Sequence, residues 1–176
     1  MLRGGAGVNR FIQIGDFAGD LIKLAAQAIK LGNVGLQAAH LPVISVDLGV
    51  ARVNLKRRIE FDAFAARAGN VALITTPLEA PMLGTAAHDF VIMNLDYHDV
   101  YWQSAERKIP RIEPDAWLKR LHAAMKPGAI VGIIDHAANP GGDTREVVEK
   151  LHRIDPAVVR ADFERAGFVL EAESQL

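Results

Sequence analysis

Short apolar runs alternate with longer amphipathic stretches along the whole sequence, and this alternation constrains the fold more than any other feature. Runs rich in Val and Ile, each followed by a stretch with apolar residues three or four apart, imply strands alternating with helices around a mostly parallel sheet. Phe11–Ile14 reads as a first strand ending in a glycine loop, Gly15-Asp16-Phe17-Ala18-Gly19, with a helix over Asp20–Leu31. Pro42–Asp47 is a second strand, and the spacing of Leu55, Ile59, Ala63 and Ala66 predicts a helix within Val50–Ala68. Val71–Ile74 and Asp89–Leu95 are a third and a fourth strand. Pro114 suits the first turn of a helix carrying Trp117, Leu121 and Met125 on one face, with a break at Pro127-Gly128. Ala129–Ile134 is the most apolar strand and belongs in the middle of the sheet. Asp143 and Glu146 have the spacing of a capping box, Asp155-Pro156 starts a further helix packed through Val159 and Phe163, and Phe168–Ala172 begins a sixth strand after Gly167.

Composition narrows the function classes. Half of the residues are hydrophobic, and 20 Lys and Arg balance 21 Asp and Glu with no block of one sign. That balance suits one globular domain over 1–176 and does not suit a nucleic-acid binder, which needs a basic face. Apolar runs fall far short of the roughly 20 residues that span a bilayer, and Met1–Gly7 has no apolar stretch behind its one basic residue, so a cytoplasmic protein is expected. The absence of cysteine removes disulfides, thiolate metal sites and a cysteine nucleophile.

In a parallel sheet every strand ends on one edge, where ligands bind. The polar residues cluster where this requires: Gly15 to Gly19 after the first strand, Asp47 after the second, Asp96-Tyr97-His98-Asp99 after the fourth and Asp135-His136 after the fifth. The glycine loop would bring backbone close to a ligand, and Asp47 is placed to accept hydrogen bonds from a ribose diol. The alternative is a plain tight turn with Asp47 capping the next helix. For His98 and His136 three readings stand side by side: an acid-base pair oriented by Asp99 or Asp135, a structural pair satisfied by its neighbours, or metal ligands together with Asp96, Asp99 or Asp135. Tyr97, Tyr101 and Trp102 read as the rim of a pocket or as a dimer contact. His152-Arg153 reads as a helix-end element, with Arg153 a candidate clamp for a carboxylate or phosphate, and His40, His88 and His122 read as solvated.

Met125-Lys126-Pro127-Gly128-Ala129, leading into Ile130–Asp135, resembles the "LKPGG" turn and fifth strand of class I S-adenosylmethionine-dependent methyltransferases. Tyr97-His98-Asp99, Asp135-His136, Leu151-His152-Arg153-Ile154-Asp155 and Ala166-Gly167-Phe168 resemble the YHD, DH, LHRID and AGF segments of a group of bacterial proteins predicted to be methyltransferases. The likeness covers residues 90 to 176 well and the first half only in outline. It implies a Rossmann-like three-layer sandwich binding S-adenosylmethionine, with Gly15, Phe17 and Gly19 at the methionine part, Asp47 at the ribose, and Asn94 and Leu95 bordering the methyl-transfer site. His98, Asp99 and His136 are then the catalytic candidates, acting on a small-molecule methyl acceptor, with no metal. Gln13 stands where the family carries an acid, Phe17 where a middle glycine falls, and Thr75–Leu78 lacks the acid that contacts adenine. These departures suit a non-catalytic relative that has lost the cofactor and acts as a ligand-binding or interaction protein. The histidines leave open a metal-dependent enzyme using His98 and His136. Relatives close the sheet with a sixth and seventh strand joined as a hairpin, so a sheet shortened at its C-terminal edge is expected, and with it a homodimer.

Overall fold

A computed structural model describes residues 7–14, 43–47, 55–69 and 71–174. The expected glycine loop and the helix over 20–31 lie outside the described residues. The chain divides into two compact units, one holding residues 43–82 of those described and the other the remainder.

The smaller unit is a strand–helix–strand: β1 being the strand Arg10–Ile14 of the larger unit, its strands are β2 (Val43–Asp47) and β3 (Val71–Thr75), with α1 (Leu55–Ala68) between them. β2 and β3 pair in parallel, Val43 beside Val71 and Asp47 beside Thr75. The apolar spacing read along α1 is helical as expected, but Ile59, Ala63 and Ala66 are exposed, so that row is not a core face.

The larger unit continues through β4 (His88–Asn94), a 3-10 turn (Tyr97–Val100), α2 (Pro114–Ala124), β5 (Met125–Ile134), α3 (Thr144–Leu151), α4 (Pro156–Arg165) and β6 (Val169–Ser174). Its sheet is four-stranded and wholly parallel, in the order β4-β5-β1-β6. The architecture is therefore α/β. β5 is interior, as its run of apolar residues requires, and Ala129–Ile134 is buried throughout. β1 lies between β5 and β6, whereas the usual dinucleotide-binding order sets β1 beside β4. The neighbour of β6 is thus a parallel β1 and not the partner of a hairpin.

The expected helix stop at Pro127-Gly128 falls inside β5. A residue before proline is pushed out of the α region, and α2 has already ended at Ala124, with Met125 extended at φ −81° and ψ 140°. Pro127 and Gly128 instead sit in a bulge, between the pairings His88–Met125 and Phe90–Ile130, where Gly128 has φ +83° and its N–H donates to Asn9 Oδ1 at 3.0 Å.

α2 and α4 pack on each other and against the sheet. Phe163 centres this core, with ring centroids 5.1 Å from Phe11, 5.3 Å from Tyr97 and 5.3 Å from Phe168. His122 meets the Phe168 ring edge-on at 4.9 Å and His88 bonds the Leu83 carbonyl at 2.7 Å, so neither is simply solvated; His40 lies outside the described residues.

Helix starts follow the caps read from sequence. Asp143 accepts from the Glu146 N–H at 3.0 Å, and Asp155 from the Ala157 N–H at 2.8 Å ahead of Pro156. Asp143→Ala should cost about 1 kcal/mol, measured as a lower urea midpoint with an unchanged slope. An unchanged midpoint would show that α3 does not depend on this cap. Among the described residues, no helix is long and apolar enough to cross a membrane.

Candidate functional site

The site is built where β4 and β5 end. The last bond between them joins the Leu95 N–H to the Ile134 carbonyl at 2.8 Å. Leu95 then takes φ +60°, a left-handed conformation costing a side-chain-bearing residue roughly 1–2 kcal/mol. The strand stops there and the chain turns into Tyr97–Val100. Beside this strained corner, the buried Asn94 Oδ1 has no hydrogen-bond partner.

Asp135, the first residue beyond β5, grips the turn. Its Oδ2 accepts from the His98 backbone N–H at 2.9 Å; its Oδ1 accepts from His98 Nδ1 at 2.7 Å and from the His136 N–H at 2.8 Å. Both side chains of the Asp135–His98 pair are only 6% exposed. A carboxylate can only accept, so Nδ1 carries the proton and, in the neutral ring, Nε2 keeps its lone pair. That nitrogen faces Asp99 Oδ1 at 3.4 Å. Burial opposes protonation of His98, but the hydrogen bond and charge of Asp135, then the charges of Asp99 and Asp96, outweigh it and raise its pKa above the ordinary histidine value. Burial also raises Asp99, and the opposing pull of His98 and His152 does not cancel it.

A further histidine completes the cluster. His152 Nδ1 is 3.7 Å from Asp99 Oδ1, beyond hydrogen-bond length, and Asp99 Oδ1 is a buried atom with no hydrogen-bond partner. His152 caps the C-terminus of α3 at φ +48°, ψ +53°. The chain after it is tied to the segment beyond β5: the Ile154 N–H donates to the His136 carbonyl, the Ala138 N–H to the Ile154 carbonyl, and the Arg153 guanidinium to the Ala137 carbonyl at 3.0 Å. The Trp102 ring stands edge-on to His152 at 5.1 Å.

The turn that carries His98 is anchored from below. Tyr97 is fully buried and donates through its hydroxyl to Asp162 Oδ2 at 2.8 Å; Tyr101 donates to the same oxygen at 2.5 Å, and Arg165 pairs with the other. Burial first, then Asp162, raises both phenols above the ordinary tyrosine value, so they remain donors. Tyr97 is therefore a core anchor and not a rim residue, and Trp102 is likewise buried.

The residues expected from sequence fare unequally. His98 and Asp99 come together with Asp135, while the described cluster includes His152 and leaves out His136, whose backbone serves Asp135. Asn94 and Leu95 border the same corner. Asp47 closes β2 in the smaller unit, beside Thr75; Gly15, Phe17 and Gly19 lie outside the described residues. Gln13 lines a small cleft together with Asp135, Ala137 and Ile154, and its amide donates to the Pro156 carbonyl at 3.0 Å. An ionised acid has no proton to give there. His152 joined the sequence reading only as a helix end, because its approach to Asp99 depends on how β5 and α3 are tied.

Compared with models of protein families, with curated proteins and with solved structures, the chain matches none.

Proposed function

We propose that this chain is an S-adenosylmethionine-dependent methyltransferase acting on a small-molecule acceptor at the ends of β4 and β5, with His98 as the proton acceptor. The observation that carries the reading is the grip of Asp135 on His98, which fixes the ring by Nδ1 and leaves Nε2 as the basic atom at the sheet edge. The likeness of the segments around Tyr97-His98-Asp99 and Asp135-His136 to methyltransferases supports the choice of reaction. Asn94 fits the cofactor: its buried, unpaired Oδ1 is an acceptor in want of a donor, which the ammonium of a methionine moiety provides. The sulfonium, when bound, supplies a methyl group already activated for transfer.

What the chain adds is positioning and proton control. Asp135 holds the imidazole in one tautomer. Nε2 takes the acceptor's hydroxyl or amine proton, and Asp99 and Asp135 stabilise the imidazolium that results. The resemblance assigns Gly15, Phe17 and Gly19 to the methionine moiety and Asp47 to the ribose, and these rest on the resemblance alone.

Isothermal titration with S-adenosylmethionine and S-adenosylhomocysteine tests the reading. Saturable heat with one site per chain is expected, weakened when Asn94 is replaced by leucine. No heat and no shift in melting at millimolar ligand would overturn it.

A further inference from the structure

We infer that His98, Asp99 and His152 form a site for a divalent transition-metal cation, Zn2+ best of all, through His98 Nε2, Asp99 Oδ1 and His152 Nδ1. The inference stands independently of methyl transfer, because it needs only groups within the larger unit.

Geometry is the first support. Two donors each about 2.0–2.1 Å from a tetrahedral ion lie about 3.3–3.4 Å apart. His98 Nε2 and Asp99 Oδ1 are 3.4 Å apart, and Asp99 Oδ1 and His152 Nδ1 3.7 Å. One ligating atom from each of the three residues lies within 4.8 Å of the other two. The remaining closure falls to His152, whose side chain is 49% exposed, while that of His98 is 6% exposed and held by Asp135.

The state of the donors is the second. Asp135 accepts the hydrogen bond of His98 Nδ1–H and so leaves the lone pair of Nε2 facing the other donors, the carboxylate–histidine arrangement that orients metal-bound imidazoles. Asp99 Oδ1 is buried without a hydrogen bond although two imidazole nitrogens stand near it. A cation satisfies all three donors at once. Asp96 and Asp135 add negative charge around them.

Two imidazoles and one carboxylate are the donor set of open zinc sites, which keep a position for an exchangeable ligand. Here that position lies on the His152 side, toward solvent. The ligand class it takes is an oxygen donor: water, a hydroxyl or a carboxylate of a small molecule. Nε2 is then a ligand in the loaded chain and a proton acceptor in the metal-free chain.

The test uses the full chain, stripped with a chelator and titrated with Zn2+ against a chromophoric chelator, with no S-adenosylmethionine present. One Zn2+ per chain is expected, with a raised melting temperature, and Co2+ in its place should give the visible absorption of a low-coordinate site. His152→Gly suits the left-handed backbone and removes only the imidazole; it should abolish tight binding while the chain stays folded by circular dichroism. Asp135→Asn should retain the site with 10- to 100-fold weaker affinity. Failure of the chain to bind Zn2+, or undiminished affinity in His152→Gly and Asp99→Asn, would overturn the assignment and leave a buried histidine–aspartate pair. The S-adenosylmethionine titration reports separately on methyl transfer.

Discussion

Asp135→Ala should destabilise the chain by about 3–5 kcal/mol, because three donors at a buried carboxylate lose their acceptor at about 1–3 kcal/mol each. Both side chains of the pair are nearly inaccessible to water, and the carboxylate serves three donors: the His98 N–H, His98 Nδ1 and the His136 N–H. Alanine leaves all three without an acceptor. An asparagine side chain would keep one carbonyl oxygen, so Asp135→Asn should cost less, about 1–3 kcal/mol, the range for leaving a buried donor unsatisfied. Urea unfolding of both variants checks this. Equal and small losses, under about 1 kcal/mol, would mean that water replaces the carboxylate and that His98 is not held.

Asp162→Ala is the second large effect, with an expected loss of about 3 kcal/mol. Tyr97 is wholly buried, so its hydroxyl would be stranded, at about 1–3 kcal/mol. Tyr101 is partly buried and adds less. Arg165 is half exposed, and its pairing with Asp162 adds no more than the roughly 1 kcal/mol of a surface pair. Tyr97→Phe supplies the control: in the Asp162→Ala background it should recover part of the loss, because the stranded donor is gone. No recovery would place the effect of Asp162 elsewhere than on the phenol. Since Tyr97 precedes His98, Asp162→Ala should also weaken Zn2+ binding without touching a donor.

Much of this was legible in the sequence. Alternating apolar runs placed the strands to within a few residues, because β5 and β1 are largely apolar and caps such as Asp143 act locally. The strand order was not legible, since Arg10 pairs with Ile130 and Val169 through contacts that leave no local trace. Pro127-Gly128 was misread for a physical reason: the same pair that stops a helix also makes a bulge, and the choice depends on Asn9 and β4. At the site, His98, Asp99 and Asp135 follow strand ends and announce themselves. His152 does not, because its place rests on the left-handed cap of α3 and the backbone ties of Ile154. Tyr97 looked like a pocket rim because its partner, Asp162, belongs to a different helix and only the tertiary fold joins them.

The place of β1 between β5 and β6 sets a schedule for folding. A strand made early can find its two neighbours only after the chain through Val169 exists, since its registers run to Ile130 and to Val169. Non-local parallel pairing of this kind is slow, as the intervening loop must close before any ladder bond forms. Until then Phe11 and Ile12, fully or nearly buried in the finished sheet, remain uncovered on a strand with two unpaired sides. During synthesis this is a segment that a chaperone would be expected to hold.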